Sequence, residues 1–201
     1  MSRLLLLLSL LANMLFGEDY TLRAAYGRAD HSYFSQIISG KFAPYSTHSD
    51  VLVLDGGYRV YKDAFDLPLD VYINLGVSRF LEGESRSDIY ENTLYLKGYY
   101  TFHIADESLR FGVGEGGSYT YGTLYVEKLN AQANNNAPNS NFLNYLDFSL
   151  DMDVGELLHS EVAKKSFLGV ALKHRSGIFG LINNVRYGGS NYELVYLQKN
   201  F

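Results

Sequence analysis

The chain has 201 residues, of which 47% are apolar, 15% aromatic and 19% charged; its formal net charge is −5 and it has no cysteine. The missing cysteine excludes a disulfide scaffold, a cysteine-ligated zinc site and a thiol nucleophile. Sparse charge with many aromatics excludes disorder, and the acidic balance argues against a nucleic-acid partner, which needs a basic footprint. The length suits one domain or one large barrel. The 18 Tyr, 19 Gly and a terminal Phe201 remain to be explained.

The chain opens on Arg3 and a mostly apolar run from Leu4 to Phe16. That run is too short for a membrane-spanning helix, which needs about 20 residues. One positive charge followed by an apolar stretch has the form of a secretory signal peptide. A cut near Gly17/Glu18 makes residues 1–17 the signal peptide and 18–201 the mature domain. Export without cysteine suits the periplasm or outer membrane of a Gram-negative bacterium.

Beyond residue 18, alternation replaces helical periodicity, and eight strands are predicted near 19–27, 50–61, 68–80, 90–104, 109–122, 142–154, 167–176 and 190–201. Successive side chains of a strand face opposite sides. In the second strand Leu52, Leu54, Tyr58 and Val60 oppose Asp55 and Arg59. In the third Val71, Ile73, Leu75 and Val77 oppose Asp70, Tyr72, Asn74 and Ser78. In the fourth Leu94, Leu96, Tyr100 and Phe102 oppose Thr93, Tyr95, Lys97 and Thr101, and in the sixth Leu146, Phe148, Leu150 and Met152 oppose Tyr145, Asp147, Ser149 and Asp151.

A soluble barrel turns such an apolar face inward; a transmembrane barrel turns it to lipid and keeps a polar lumen. Strand length, a final strand ending in Phe201, and connections that alternate long and short all favour the second. Connections 28–49, 81–89, 123–141 and 177–189 are long, whereas 62–67 and 105–108 are short. Segment 155–166 is the exception and suits a short helix. The fold class is therefore an all-β, eight-stranded antiparallel transmembrane barrel of the outer membrane, with aromatics at the two membrane interfaces. Arg23, Asp55, Arg59, Lys97, Asp147, Asp151, Asp153, Lys173 and Arg175 read as a paired lumen network, since eight strands leave no open channel. Glu115 falls on the lipid side, and the flanking Gly112, Gly114, Gly116 and Gly117 suggest a bulge that resets the register. The Asn-rich stretch 130–141 reads as an exposed outer loop.

In the seventh strand His174 and Ser176 continue the lipid-facing row of Leu168, Val170 and Leu172 at the outer rim. Residues two apart on one face have Cα atoms roughly 6.6 Å apart, close enough for an imidazole nitrogen to activate a serine hydroxyl. Asn191 and Glu193, at the start of the last strand, share parity with Val195, Leu197 and Phe201 and face the same side. Either could orient the imidazole as the third group of a triad. The plain alternative is that these are polar residues of the interfacial zone.

The stretch His174-Arg175-Ser176-Gly177, followed by Gly188-Gly189-Ser190-Asn191-Tyr192 and an aromatic-ended last strand, resembles the lipid A 3-O-deacylase family (PagL-type, acyloxyacyl hydrolase-like). The resemblance implies an eight-stranded outer-membrane barrel that hydrolyses the ester holding the 3-O-acyl chain of lipid A. Carried over, Ser176 is the nucleophile, His174 the general base, and Asn191 by alignment or Glu193 by charge the third member. Members often carry Asn directly after the serine as an oxyanion donor; here that position is Gly177, so backbone N–H groups from Gly177 to Gly180, or the side chain of Asn183 or Asn184, are the substitutes. Lipid A, as lipopolysaccharide, is the implied substrate, with outer-membrane lipids around it and phosphate contacts from loop residues such as Arg186. No cofactor, metal or nucleic acid is expected, and a homodimer stands as an open alternative to a monomer. The rival readings are a non-catalytic outer-membrane barrel with a structural or adhesive role, and a soluble secreted barrel that binds a small apolar ligand.

Overall fold

The computed structural model describes residues 19–45, 49–83, 86–104, 107–187 and 189–201; the predicted signal peptide lies outside them. Eight strands follow one another: β1 (Tyr20–Asp30), β2 (Asp50–Tyr61), β3 (Leu69–Leu81), β4 (Ile89–Ile104), β5 (Glu107–Thr120), β6 (Phe142–Asp153), β7 (Ser166–Ser176) and β8 (Gly189–Asn200). Each is antiparallel to its sequence neighbours, and β1 pairs with β8 to close the barrel. Closure satisfies every strand edge, the condition for crossing a bilayer with strands. Among the described residues no helix is long and apolar enough to cross a membrane.

The two faces differ as the alternation predicts. Leu52, Leu54, Leu75, Val77, Leu94, Leu96, Val170, Val195 and Leu197 are all exposed on the outside. The inside is charged and closed. Arg23 donates to Asp55 and to Asp147, at 2.7 Å each, and Lys97 also pairs with Asp147. Arg110 donates to both oxygens of Asp151 at 2.8 and 2.9 Å, and Lys173 pairs with Glu91 at 2.6 Å. A band of exposed aliphatic residues around a polar, paired interior is the inverse of a soluble barrel and fits only a lipid surround.

Tyr72, Tyr95 and Tyr145 lie in the lumen, on the polar face to which strand parity assigns them, and Tyr99, Tyr192 and Tyr196 are buried there with them. There their rings fill volume and their hydroxyls enter the charge network, as Tyr145 does toward Asp147. No bulge surrounds Glu115. The register of β5 runs unbroken against β4 and β6, so Glu115 stays exposed on the outer face between Leu96 and Leu146. The register shift lies instead in β2, between Arg59 and Tyr61. Arg59 bonds Asp19 and Asp70 at the strand ends and is not part of the deep network.

Among the described residues three short α-helices lie between the strands: α1 (Phe34–Ile38), α2 (Tyr125–Ala133) and α3 (Val154–Leu157). The helix expected in 155–166 is α3, whose N-cap Asp153 accepts from the Gly155 N–H at 2.7 Å. In the long connection after β5 the Asn-rich stretch is mostly exposed, as expected, whereas the segment just before it is not. There α2 plugs the outer mouth with Leu124 and Val126 buried, and Glu127 reaches in to accept from Arg175 and Ser190.

Candidate functional site

Antiparallel pairing places the outer-rim residues of four strands in one row. His174 of β7 lies opposite Asn191 of β8 and Leu146 of β6, and Asn191 lies opposite Asp30 of β1. Their neighbours Lys173, Arg175, Ser190 and Tyr192 are buried in the lumen, so His174, Ser176 and Asn191 project outward by alternation.

His174 Nδ1 and Asn191 Oδ1 are 2.6 Å apart. The orientation of the Asn191 amide is set by its other end, where Nδ2 donates to the Ser32 carbonyl at 2.8 Å. Oδ1 can only accept, so Nδ1 of His174 carries the proton and Nε2 is left as the free basic nitrogen. That is the tautomer a general base requires. Ser176 is the last residue of β7, two positions on and on the same face. No hydrogen bond joins its hydroxyl to the ring among the described residues.

Glu193 is placed differently. It pairs across to Leu172, not His174, and on the other side to Arg28. Its Oε1 is buried without a partner among the described residues. The geometry therefore brings Asn191 to the imidazole and leaves Glu193 one outward position deeper.

The site is not open along its whole length. The start of the connection after β1, through Ser32 and Phe34, folds back over the outer face at β6, β7 and β8, an arrangement the alternation alone does not reveal. Asp30 anchors the turn by accepting from the N–H of Ser32 at 2.6 Å and of Ala43 at 2.5 Å. The Phe34 ring then packs on His174 and Phe148, with centroids 4.8 and 5.3 Å away. Leu172 and Ile37 are buried as a result.

The expected oxyanion donors fare unequally. Asn183 Nδ2 is committed to Ser140 Oγ at 2.8 Å and the Phe142 carbonyl at 2.9 Å, so it is spent on holding the last outer loop to β6. Asn184 is exposed in the same loop with φ of 59°. Gly177 is buried, and a Cβ there would lie 2.1 Å from the Val185 carbonyl oxygen. The close approach of two backbones is why glycine follows Ser176. Arg186 is exposed in this loop near Gly180. Among the described residues no group of three or more His, Cys, Asp or Glu could hold a metal ion.

No protein-family model matches the chain, and no curated protein matches it in sequence. Solved structures do match. The outer membrane enzyme PagL is similar with a TM-score of 0.60 and 13% identity, over 90% of this chain and 99% of that one. Neisserial surface protein A (NspA) aligns with a TM-score of 0.49 and 12% identity, over 92% of this chain and 98% of that one. At such identities the likeness to PagL concerns the fold alone. Together with the apolar outer belt and the charged lumen, it makes this chain an eight-stranded barrel of the bacterial outer-membrane type.

Proposed function

We propose that this barrel is an esterase of the outer leaflet that removes an ester-linked acyl chain from lipid A, at position 3 by its resemblance to the 3-O-deacylases. The observation that carries the reading is the His174–Asn191 hydrogen bond, which sets the imidazole tautomer on the lipid-facing rim two residues from Ser176. Exposed apolar side chains border the same point. Phe179 and Leu181, which follow Ser176 in the last outer loop, are 88% and 83% exposed, as befits a loop that rests in a membrane interface.

The chemistry is two-step acyl transfer. Ser176 Oγ attacks the ester carbonyl carbon while its proton passes to His174 Nε2, and the carbonyl π electrons move onto oxygen. The imidazolium so formed is stabilised through Nδ1–H by Asn191 Oδ1. Collapse breaks the bond to the sugar oxygen, which takes the proton back from Nε2 and leaves as an alcohol. Water, deprotonated by the same nitrogen, then releases the fatty acid from Ser176. The acyl chain would lie down the exposed row of Val170 and Leu168, reaching the site by lateral diffusion.

The test is mass spectrometry of lipid A from cells that express the chain or its Ser176→Ala variant. Loss of one acyl group with the parent chain and none with the variant is the expected result. If the parent chain removes no acyl group from any lipid A offered, the esterase reading fails. Full activity of Ser176→Ala would leave the activity standing and refute the nucleophile.

A further inference from the structure

We infer that the side-chain amide of Asn144 is the oxyanion donor of this site, an assignment that rests on the esterase reading above. Attack by Ser176 places a full negative charge on the former carbonyl oxygen, and a donor aimed at that oxygen from about 2.7–3.1 Å is worth more than any other single contact. The segment after Ser176 supplies no side chain for it. Gly177 has none and is too close to Val185 to carry one, while the N–H groups of Gly180 and Ile182 are already spent on the Gly177 carbonyl. The amide of Asn183 is bound elsewhere.

The donor comes from the neighbouring strand. Asn144 of β6 is the direct partner of Ser176 of β7, which puts their Cα atoms about 4.5–5.5 Å apart. It points outward, because Tyr145 and Asp147 on either side of Leu146 are both buried in the lumen. Ser176 is thus flanked from two directions. His174, beside it on β7, is held toward β8 by Asn191, while Asn144 approaches from β6. A base on one side and a donor on the other is the arrangement that proton removal and oxyanion capture need.

Asn144 is also out of character for its place. Its outward neighbour Phe142 is 48% exposed, yet Asn144 is 6% exposed. Its amide forms no hydrogen bond among the described residues, and neither its Oδ1 nor its Nδ2 is among the fully enclosed polar atoms. An amide that the protein leaves without a partner but does not wall off can donate to a substrate oxygen delivered to Ser176.

The measurement is fatty acid release from lipid A in mixed phospholipid–detergent micelles by the purified full-length barrel, with kcat and KM determined separately. Asn144→Ala and Asn144→Asp are compared with the parent chain and with Ser176→Ala, and folding is checked by migration that changes on heating in a detergent gel. Both Asn144 variants are expected to lose about 100- to 1,000-fold in kcat with KM changed by less than about threefold. Should the alanine variant not fold, the aspartate variant, of equal volume, decides: its charge repels the oxyanion. A folded Asn144→Asp with kcat within about threefold of the parent, or a change confined to KM, overturns the assignment while the esterase reading stands. A parent chain that releases no fatty acid overturns both.

Discussion

Asn191 and Glu193 can be separated by experiment, because the structure gives only one of them contact with His174. Truncation of Asn191 to alanine removes the acceptor 2.6 Å from Nδ1. In the ground state the ring is neutral and the loss is small, but in the transition state it is cationic. A hydrogen bond to a charged group is worth about 1.5–3 kcal/mol, which corresponds to roughly a 10- to 150-fold fall in kcat. Asn191→Asp keeps an acceptor and strengthens it by charge, so it retains more activity than the alanine variant despite losing the bond to the Ser32 carbonyl. Glu193→Gln, opposite Leu172, keeps the shape of a side chain that does not touch the imidazole and changes kcat by less than about threefold. The assay is the fatty acid release described above, under saturating substrate, on barrels shown to be folded by heat-dependent migration. The reasoning is refuted if Glu193→Gln loses more activity than Asn191→Ala.

Three further outcomes follow from the packing. Asp147 is the only ion-pair partner of Lys97 among the described residues and also binds Arg23, so Asp147→Ala leaves buried positive charge uncompensated and costs about 3–5 kcal/mol in urea unfolding from lipid vesicles; a loss typical of surface sites would show that water enters the lumen. The Phe34 ring on His174 covers the site, and an aromatic contact worth about 1 kcal/mol makes Phe34→Ala raise kcat/KM about fivefold by favouring the uncovered state; a fall of that size would show that Phe34 positions the ring instead. Glu115 stands exposed on the outer face between Leu96 and Leu146, so Glu115→Leu is expected to stabilise the inserted barrel by about 1 kcal/mol, less than the cost of a basic residue at such a place, and an unchanged urea midpoint would place it in the headgroup layer.

Much of the barrel is legible because strand parity is a local property. Two dihedral angles per residue impose a period of two, and the membrane sorts that period into apolar-out and polar-in. Strand bounds accordingly lie within three residues of the predicted ones, and those of β2 coincide with them. The same parity identified His174, Ser176 and Asn191 as polar groups on an apolar face. Parity does not say which residue of the next strand stands opposite. Choosing Asn191 over Glu193 depended on register, which follows from the staggered closure of the whole sheet. Asn144 escaped notice for the same reason: nothing near it in sequence marks it as the neighbour of Ser176.

The Asn-rich stretch illustrates a second limit. Its composition suggests an exposed loop and most of it is exposed, but nothing in it marks α2, which begins just before it because Leu124 and Val126 find the barrel mouth to bury against, a tertiary gain that outweighs weak local propensity. Likewise the lid over His174 depends on Ser32 meeting Asn191 across 159 positions of chain. The sequence by itself determined that this chain is a membrane barrel, with His174 and Ser176 on its outer face, since alternation and connection length are written locally. Only the tertiary structure decided that Glu115 lies in an unbroken strand, and which partner the imidazole meets. Those outcomes depend on register, closure and loop docking, and each of these is set by contacts between residues far apart in the chain.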